Sequence, residues 1–370
     1  MLTNGEKLGA FIVPTGIGAA VGGFAGDASG VAREFSRRSK LIVNPNVVNA
    51  GCFSGVNENM LYVEGYSLDA FFRGEINLQP AQNNKISVIF DKSIPQDVLN
   101  IHINTINAVK TVYGIDVIGY EITDDPVGIN FEPLTPNPSP HGRGEKVSAG
   151  SVENIETLIE ASRRALQIPT GTFVPKDRTE RAQRSGSVSE GQTSRSGANT
   201  GADALALVCF FEDIDDPAYA AGLGVDPIGG VEAIISHCIS KELKVPCAHS
   251  PAFADYQIHP NVVDPRAAAE YITPTFLPCV LLGLQNAPLI ESEKRRVESG
   301  ISIDNLDYLV MPAGALGSTP VFEALRRGIK VFAVKENFCA LNVNAAALSL
   351  EEVIEVATYN DVLRFLDDVT

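Results

Sequence analysis

The sequence predicts an α/β protein: one or more mostly parallel sheets with flanking helices in Rossmann-like layers, interrupted by two disordered or loosely ordered insertions. Three observations carry this expectation. Short apolar runs of strand character alternate with amphipathic patterns of helical spacing. Two of those runs lead into glycine-rich loops that open helices, the layout in which backbone N–H groups can cradle an anion. The composition is that of a globular chain, with 370 residues of which 45% are hydrophobic and 20% charged. That is enough apolar material for one large core or two ordinary ones.

Taken in order, Ala10–Val13 reads as a strand, Asp27–Arg38 as a helix with Val31 and Phe35 one turn apart, and Leu41–Val43 as the next strand. Asp27 and Ser29 are cap candidates for that helix. The region Cys52–Leu78 is polar and aromatic and yields no clear pattern. Ile86–Phe90, Gln96–Thr111 and Asp116–Ile122 then have the spacing of a βαβ unit. Ile155–Leu166 reads as a helix and Leu205–Phe210 as a buried strand. Pro227–Leu243 is a helix on Val231, Ile234, Ile235 and Cys238, followed by a strand at Lys244–Cys247. Asp307–Met311, Ser318–Arg327 and Lys330–Val334 form a strand, a helix and a strand, and Ser349–Ala357 and Asn360–Asp368 read as closing helices.

Two stretches break the rhythm. Glu132–Glu145 carries Pro133, Pro136, Pro138 and Pro140 and resembles translated intergenic repeats. Ile168–Thr200 is rich in Ser, Gly, Thr, Gln and Arg and has too few large apolar residues to order itself. Excising it joins a helix, a glycine stop and a strand, the usual α-to-β step. The expected division is an N-terminal α/β region at 1–131, a Pro-rich insertion at 132–150, a helix at 151–167, a low-complexity insertion at 168–200 and a C-terminal α/β region at 201–370.

The net charge of −16 repels phosphate backbones and anionic lipid, so neither nucleic acid nor membrane is expected as a partner. A homo-oligomer stays open. The six cysteines show no C-x-x-C spacing, which suits free thiols in a reducing compartment. The apolar stretch Gly9–Gly26 holds Pro14, lacks a strong cationic lead and runs into Asp27, so it reads as a buried strand plus loop rather than a signal peptide or a span. The cytoplasm is the expected compartment.

The first glycine loop contains Thr15, Gly16, Gly18, Gly22 and Gly23. Its Gly16-x-Gly18-x-x-x-Gly22 spacing is one residue off the dinucleotide fingerprint. Asn44 follows the next strand where an acidic residue would be needed. A phosphate or carboxylate on its N–H groups, or a plain strand–helix packing contact, are the readings that remain. The second loop, Pro312–Thr319, has Gly314 and Gly317 with Ser318 and Thr319 at the helix start; it is not a P-loop, and Ser318 alone is a sufficient N-cap. Gly229 and Gly230 make a third turn-into-helix. The cluster Glu212–Asp216 reads as a solvated charge run, and no metal ligands are assigned.

Among the histidines, His249 lies at the expected carboxyl end of a strand and is the preferred general acid or base. Cys247, two residues away, fits either a nucleophile or an inert buried thiol. His102 is expected to face solvent, His237 sits on a helix, and His259 is a loop residue. Asp27, Glu336 and Asn337 are the polar partners proposed for His249, the last two just past the strand Lys330–Val334. Asn44, Asn46 and Asn49 are similarly placed.

The strings Pro14–Asp27, Asn44–Ala50, Asp226–His237 and Pro312–Asn337 together resemble an uncharacterised domain family found mainly in cyanobacteria and plants. The resemblance implies no activity, cofactor or catalytic residue. From the residues alone, the expectation is an enzyme acting on a small anionic molecule, with no cofactor named. Its rivals are a non-catalytic ligand-binding module, with no histidine or carboxylate in reach of the ligand, and a structural protein with packed loops and a large apolar patch.

Overall fold

The computed structural model describes residues 6–15, 28–132, 136–137, 145–146, 148–167, 201–213, 217–223, 225–258, 260–292, 300–337, 339 and 341–368. Ten strands build two sheets. They are β1 (Leu8–Phe11), β2 (Lys40–Val43), β3 (Met60–Tyr62), β4 (Ile86–Phe90), β5 (Val117–Ile122), β6 (Ala204–Phe211), β7 (Cys247–Phe253), β8 (Tyr308–Pro312), β9 (Lys330–Val334) and β10 (Ile354–Val356). The helices of eight residues or more are α1 (Ser29–Ser36), α2 (Gly65–Arg73), α3 (Gln96–Tyr113), α4 (Ile155–Ala165), α5 (Gly229–Leu243), α6 (Leu277–Leu284), α7 (Thr319–Arg326) and α8 (Tyr359–Asp368).

The first sheet runs β10-β9-β8-β1-β2-β3 and every pairing in it is parallel. Counted along the chain within the sheet, this is the doubly wound order 3-2-1-4-5-6 seen from its other edge. The second sheet runs β7-β6-β4-β5, also all parallel. Its strands come entirely from the chain between β3 and β8. The division is therefore not N-terminal against C-terminal: strands at both ends of the sequence share one sheet, and the second sheet is inserted into the first. The chain crosses between them twice, and the crossings pair with each other, Ile76–Gln79 antiparallel to Leu289–Ser292.

Strand alternation sets the cores. Phe11, Val43 and Val310 face a cluster that also takes Val88, Phe90 and Ala206 from the second sheet, so one core is shared. Ala10, Ile42, Leu309 and Met311 face the opposite side of the first sheet, under α2 and α7. Leu205, Leu207 and Cys209 face α4 and α5. These strands are buried on both faces, as parallel sheets covered by helices must be.

Several elements differ from the sequence reading. β7 begins at Cys247 and runs through Pro251 to Phe253, because Lys244 leaves α5 at φ +53° and the strand starts only after Pro246. Pro251 is tolerated because β7 is an edge strand. Ser349–Ala357 is not a helix. A single turn at Ala345–Leu348 is capped by Asn344 and ended by Ser349 at φ +55°, and β10 then pairs with β9. The unread Cys52–Leu78 region holds β3, α2 and the crossing strand. His102 is buried rather than solvent-facing: it lies 1% exposed, with Nδ1 2.9 Å from the Val98 carbonyl.

The edges of both insertions meet. Ile129–Glu132 pairs antiparallel with Ala149–Val152, and Pro136–Asn137 pairs antiparallel with Glu145–Lys146, so the described residues of the Pro-rich stretch and its flanks form two short ladders. The Ala202 N–H lies 3.4 Å from the Ala165 carbonyl, and Gly201 packs so closely on Leu166 that no side chain would fit. The low-complexity residues between them, 168–200, lie outside the described residues.

Candidate functional site

Ligands of open parallel sheets bind beyond the carboxyl ends of the strands, where the order reverses. In the first sheet that point lies between β1 and β8. The first glycine loop leaves β1 there and the second leaves β8. A cleft of about 1360 Å³ opens at this place, lined from the first sheet by Thr15, Asn44, Asn46, Glu64, Met311 and Ser318, and from the inserted half by Gly229, Gly230, His249 and Phe253. The matching point of the second sheet lies between β4 and β6. Asp91, 2% exposed, accepts there from the Val127 and Phe210 N–H groups.

The asparagines after β2 fix where β1 departs. Asn44 accepts from the Val13 N–H at 3.0 Å and donates to its carbonyl at 2.7 Å, acting as a short extra strand. Asn46 donates to the same carbonyl at 3.3 Å. Thr15 then reaches α5, where a Cβ on Gly229 would lie 2.5 Å from its Cγ2.

Several N–H groups of the described second and third loops already have partners. At the third turn, the Asp226 carboxylate accepts from the Ile228 N–H, and Ser148 Oγ accepts from the Gly230 N–H. In the second loop, the N–H groups of Ala313, Ala315, Leu316 and Ser318 all bond to backbone carbonyls. Gly314 and Gly317 pack on Cys339, Leu341 and Val343, which explains their lack of side chains without a ligand. Thr319 hydrogen-bonds Asp69, a cleft residue on α2, and Ser318 faces the cleft with its Oγ 3.9 Å from the Met311 sulfur. Gly16, Gly18, Gly22, Gly23 and Asp27 lie outside the described residues, as do His141, His259 and residues 214–216 of the acidic cluster.

The cleft's chemistry comes chiefly from α5 and the residue before α2. On α5, Gly229, Glu232, Ala233, Ser236 and His237 line the cleft, spaced so that they share one helical face. Glu64 ends the β3 segment and caps α2. Its Oε2 accepts from the Tyr66 N–H at 2.7 Å and the Ser67 N–H at 3.4 Å. Its Oε1 lies 2.5 Å from His237 Nδ1, a close charge contact rather than a linear hydrogen bond. The Glu64 side chain is 2% exposed and that of His237 45% exposed, so the histidine presents itself to the cleft while the carboxylate anchors it. Burial lowers the His237 pKa, but Glu64, with help from Asp69 and the Ala233 carbonyl, outweighs it and raises the pKa above the ordinary value. Gly65 makes the approach possible: a Cβ there would sit 2.6 Å from the imidazole Cε1.

His249 is a different kind of group. It lies within β7, opposite Leu207, and not beyond the strand's end. Ser236 Oγ is 3.0 Å from its Nδ1, and Glu232 Oε2 is 3.9 Å from its Nε2. Burial drives its pKa down to about 4, so it is neutral at pH 7. Burial, then Asp226 and Glu270, push the Glu232 carboxyl well up. The His249–Glu232 contact is therefore not an ion pair. Cys247 shares the side of β7 facing α5 and donates to the Ser236 carbonyl at 3.4 Å. Burial holds its thiol well above the usual range, the opposite of what a nucleophile needs.

Glu336 and Asn337 serve packing away from the cleft. Glu336 accepts from the Tyr359 N–H at 2.6 Å, and Asn337 donates to the Tyr359 hydroxyl at 2.9 Å. This holds the Tyr359 ring 5.1 Å from that of Phe11 in the shared core. Sequence reasoning missed Glu64 altogether and ranked His237 below His249. The available signals were an acidic cap in Val63-Glu64-Gly65 between strand and helix, and the polar stripe on α5 beside the apolar one.

Fold and site together define a doubly wound α/β protein with a second parallel sheet inserted and a polar cleft at the switch point. The chain belongs to the family described as protein of unknown function (DUF3326), matched over residues 9–185 and 183–367. It is 33% identical, over 347 residues, to an uncharacterized lipoprotein of Synechococcus sp., covering 92% of this chain and 84% of that protein. The likeness to a cyanobacterial family of unknown function read from the sequence thus holds. No solved structure matches the chain. Among the described residues, no helix is long and apolar enough to cross a membrane.

Proposed function

We propose that this protein is an enzyme that moves a proton on a small molecule bound in the switch-point cleft, with His237 as the acid–base group and Glu64 as the residue that positions it. One observation carries the proposal: a half-exposed histidine at the cleft wall held by a buried carboxylate, itself fixed by two helix N–H groups. Against the effect of burial, the Glu64 carboxylate favours the imidazolium and raises the His237 pKa above its ordinary value, which suits a group that gives and takes a proton. The N–H groups named above at the second and third loops already have partners, so the reading does not rest on an anion cradle there. The six cysteines are free thiols, which favours a reducing compartment, the cytoplasm, as the place of action.

Incubating the protein with a library of small metabolites and following depletion by mass spectrometry tests this. The expected result is turnover of at least one compound by the wild type, lost by about a hundredfold or more in His237→Asn. Binding of compounds in the cleft with no turnover of any of them would overturn catalysis. It would leave the second reading, a ligand-binding module, which is favoured by the inward-facing Ser236–His249 pair.

A further inference from the structure

We propose that the inner end of this cleft binds a primary ammonium or guanidinium group of the ligand, held by Asp226, Glu232 and Glu270. The inference deepens the proposed function and rests on it for the location of the ligand. Its main support is Glu232. The residue is 6% exposed, faces the cleft, and its Oε1 has no hydrogen-bond partner. A buried acceptor without a donor is costly, more so when charged, and a cationic N–H donor would remove that cost.

The surroundings select a cation. Among the described residues lining the cleft there are eight carboxylates and no lysine or arginine. Asp226 and Glu270 act on Glu232 strongly enough to raise its pKa further, after burial itself. A ligand anion placed against Glu232 would also face Asp226 and Glu270. The Tyr219 hydroxyl donates to Glu270 Oε2 at 2.8 Å, which fixes that carboxylate. Tyr271 and Phe276 also line the cleft, and aromatic faces attract organic cations. Among the described residues, no three His, Cys, Asp or Glu side chains are grouped to hold a metal ion, which favours an organic cation over a divalent one.

Calorimetric titration of the full chain with putrescine and agmatine, beside butanediol, succinate and magnesium chloride at matched ionic strength, tests the proposal. Saturable binding of an amine or guanidine probe is expected. It should weaken by about tenfold or more in Glu232→Gln and in Asp226→Asn, with the circular dichroism of both variants unchanged. Amine affinity indifferent to both substitutions would overturn the proposal, as would preferential binding of the diol, succinate or magnesium. Binding of diol or succinate alone would overturn the cationic ligand and leave the proton-transfer reading in place. Absence of binding by all five probes would overturn the cationic ligand, whereas metabolite turnover lost in His237→Asn would show the proton-transfer reading to stand without it.

Discussion

At the scale of single residues, the two cleft histidines have opposite effects on stability as pH changes. His237 is raised in the folded state. Its contribution is fully present below the unfolded value of 6.5 and is lost as pH rises through the folded value. His249 is depressed to about 4, so between 6.5 and about 4 the unfolded chain binds the proton and the folded one does not. Acidification across that window should cost the protein stability, by about 3 kcal/mol as an upper bound from this group. Denaturant unfolding measured from pH 7 to pH 4 should show the wild type losing more than His249→Gln does. Equal slopes would mean that His249 titrates normally. Glu232 has the sign of a carboxyl raised by burial: its neutral form costs nothing below the ordinary value of 4.5, and stability declines as pH rises above it. Glu232→Gln should therefore melt higher than the wild type at pH 8 and at nearly the same temperature at pH 4.

Elements position these residues, and their ends matter most. α2 begins with Gly65, which is there to admit the His237 ring. Alanine is the better helix former by up to about 1 kcal/mol. Gly65→Ala should thus leave the melting temperature within a few degrees of the wild type while displacing the imidazole, read as loss of turnover and a shifted His237 resonance. A variant with full activity would remove the close approach from the account. The end of β1 depends on Asn44, which bonds both the N–H and the carbonyl of buried Val13. Asn44→Ala should cost about 2 kcal/mol or more in chemical denaturation. Elements with strong periodicity were legible: Ile86–Phe90 and Lys330–Val334 were placed to the residue. α2 was not, because its cap is a glutamate and its first residue a glycine, and β7 was read too early, at Lys244–Cys247, sharing only Cys247 with the observed strand, whose Pro251 an edge position accommodates.

At the scale of the whole molecule, the inserted second sheet brings α5 and β7 over the switch point of the first. The cleft exists only because residues near 13, 64, 237 and 318 meet there. The flanks of the low-complexity segment, Leu166 and Gly201, already touch. Replacing residues 168–200 by a linker of about four residues should leave stability unchanged or raise it by up to about 2 kcal/mol through shorter loop closure. Ligand binding should be preserved; loss of folding would place a structural role in that segment.

By itself the sequence determined the α/β class, most of the strands, the two interruptions and the placing of glycine loops at strand ends. All of these are local: side-chain period, turn chemistry and composition act over a few residues. Tertiary structure decided which strands share a sheet, that several N–H groups of the described loops already bond within the protein, and that Glu64 lies against His237 at the cleft wall. The sheet order and the cleft wall depend on burial and on contacts between residues more than 150 positions apart, such as β1 with β8 and Glu64 with Ser236 at a separation of 172. Spacing along the chain carries no trace of such contacts, because they are set by how the two sheets pack.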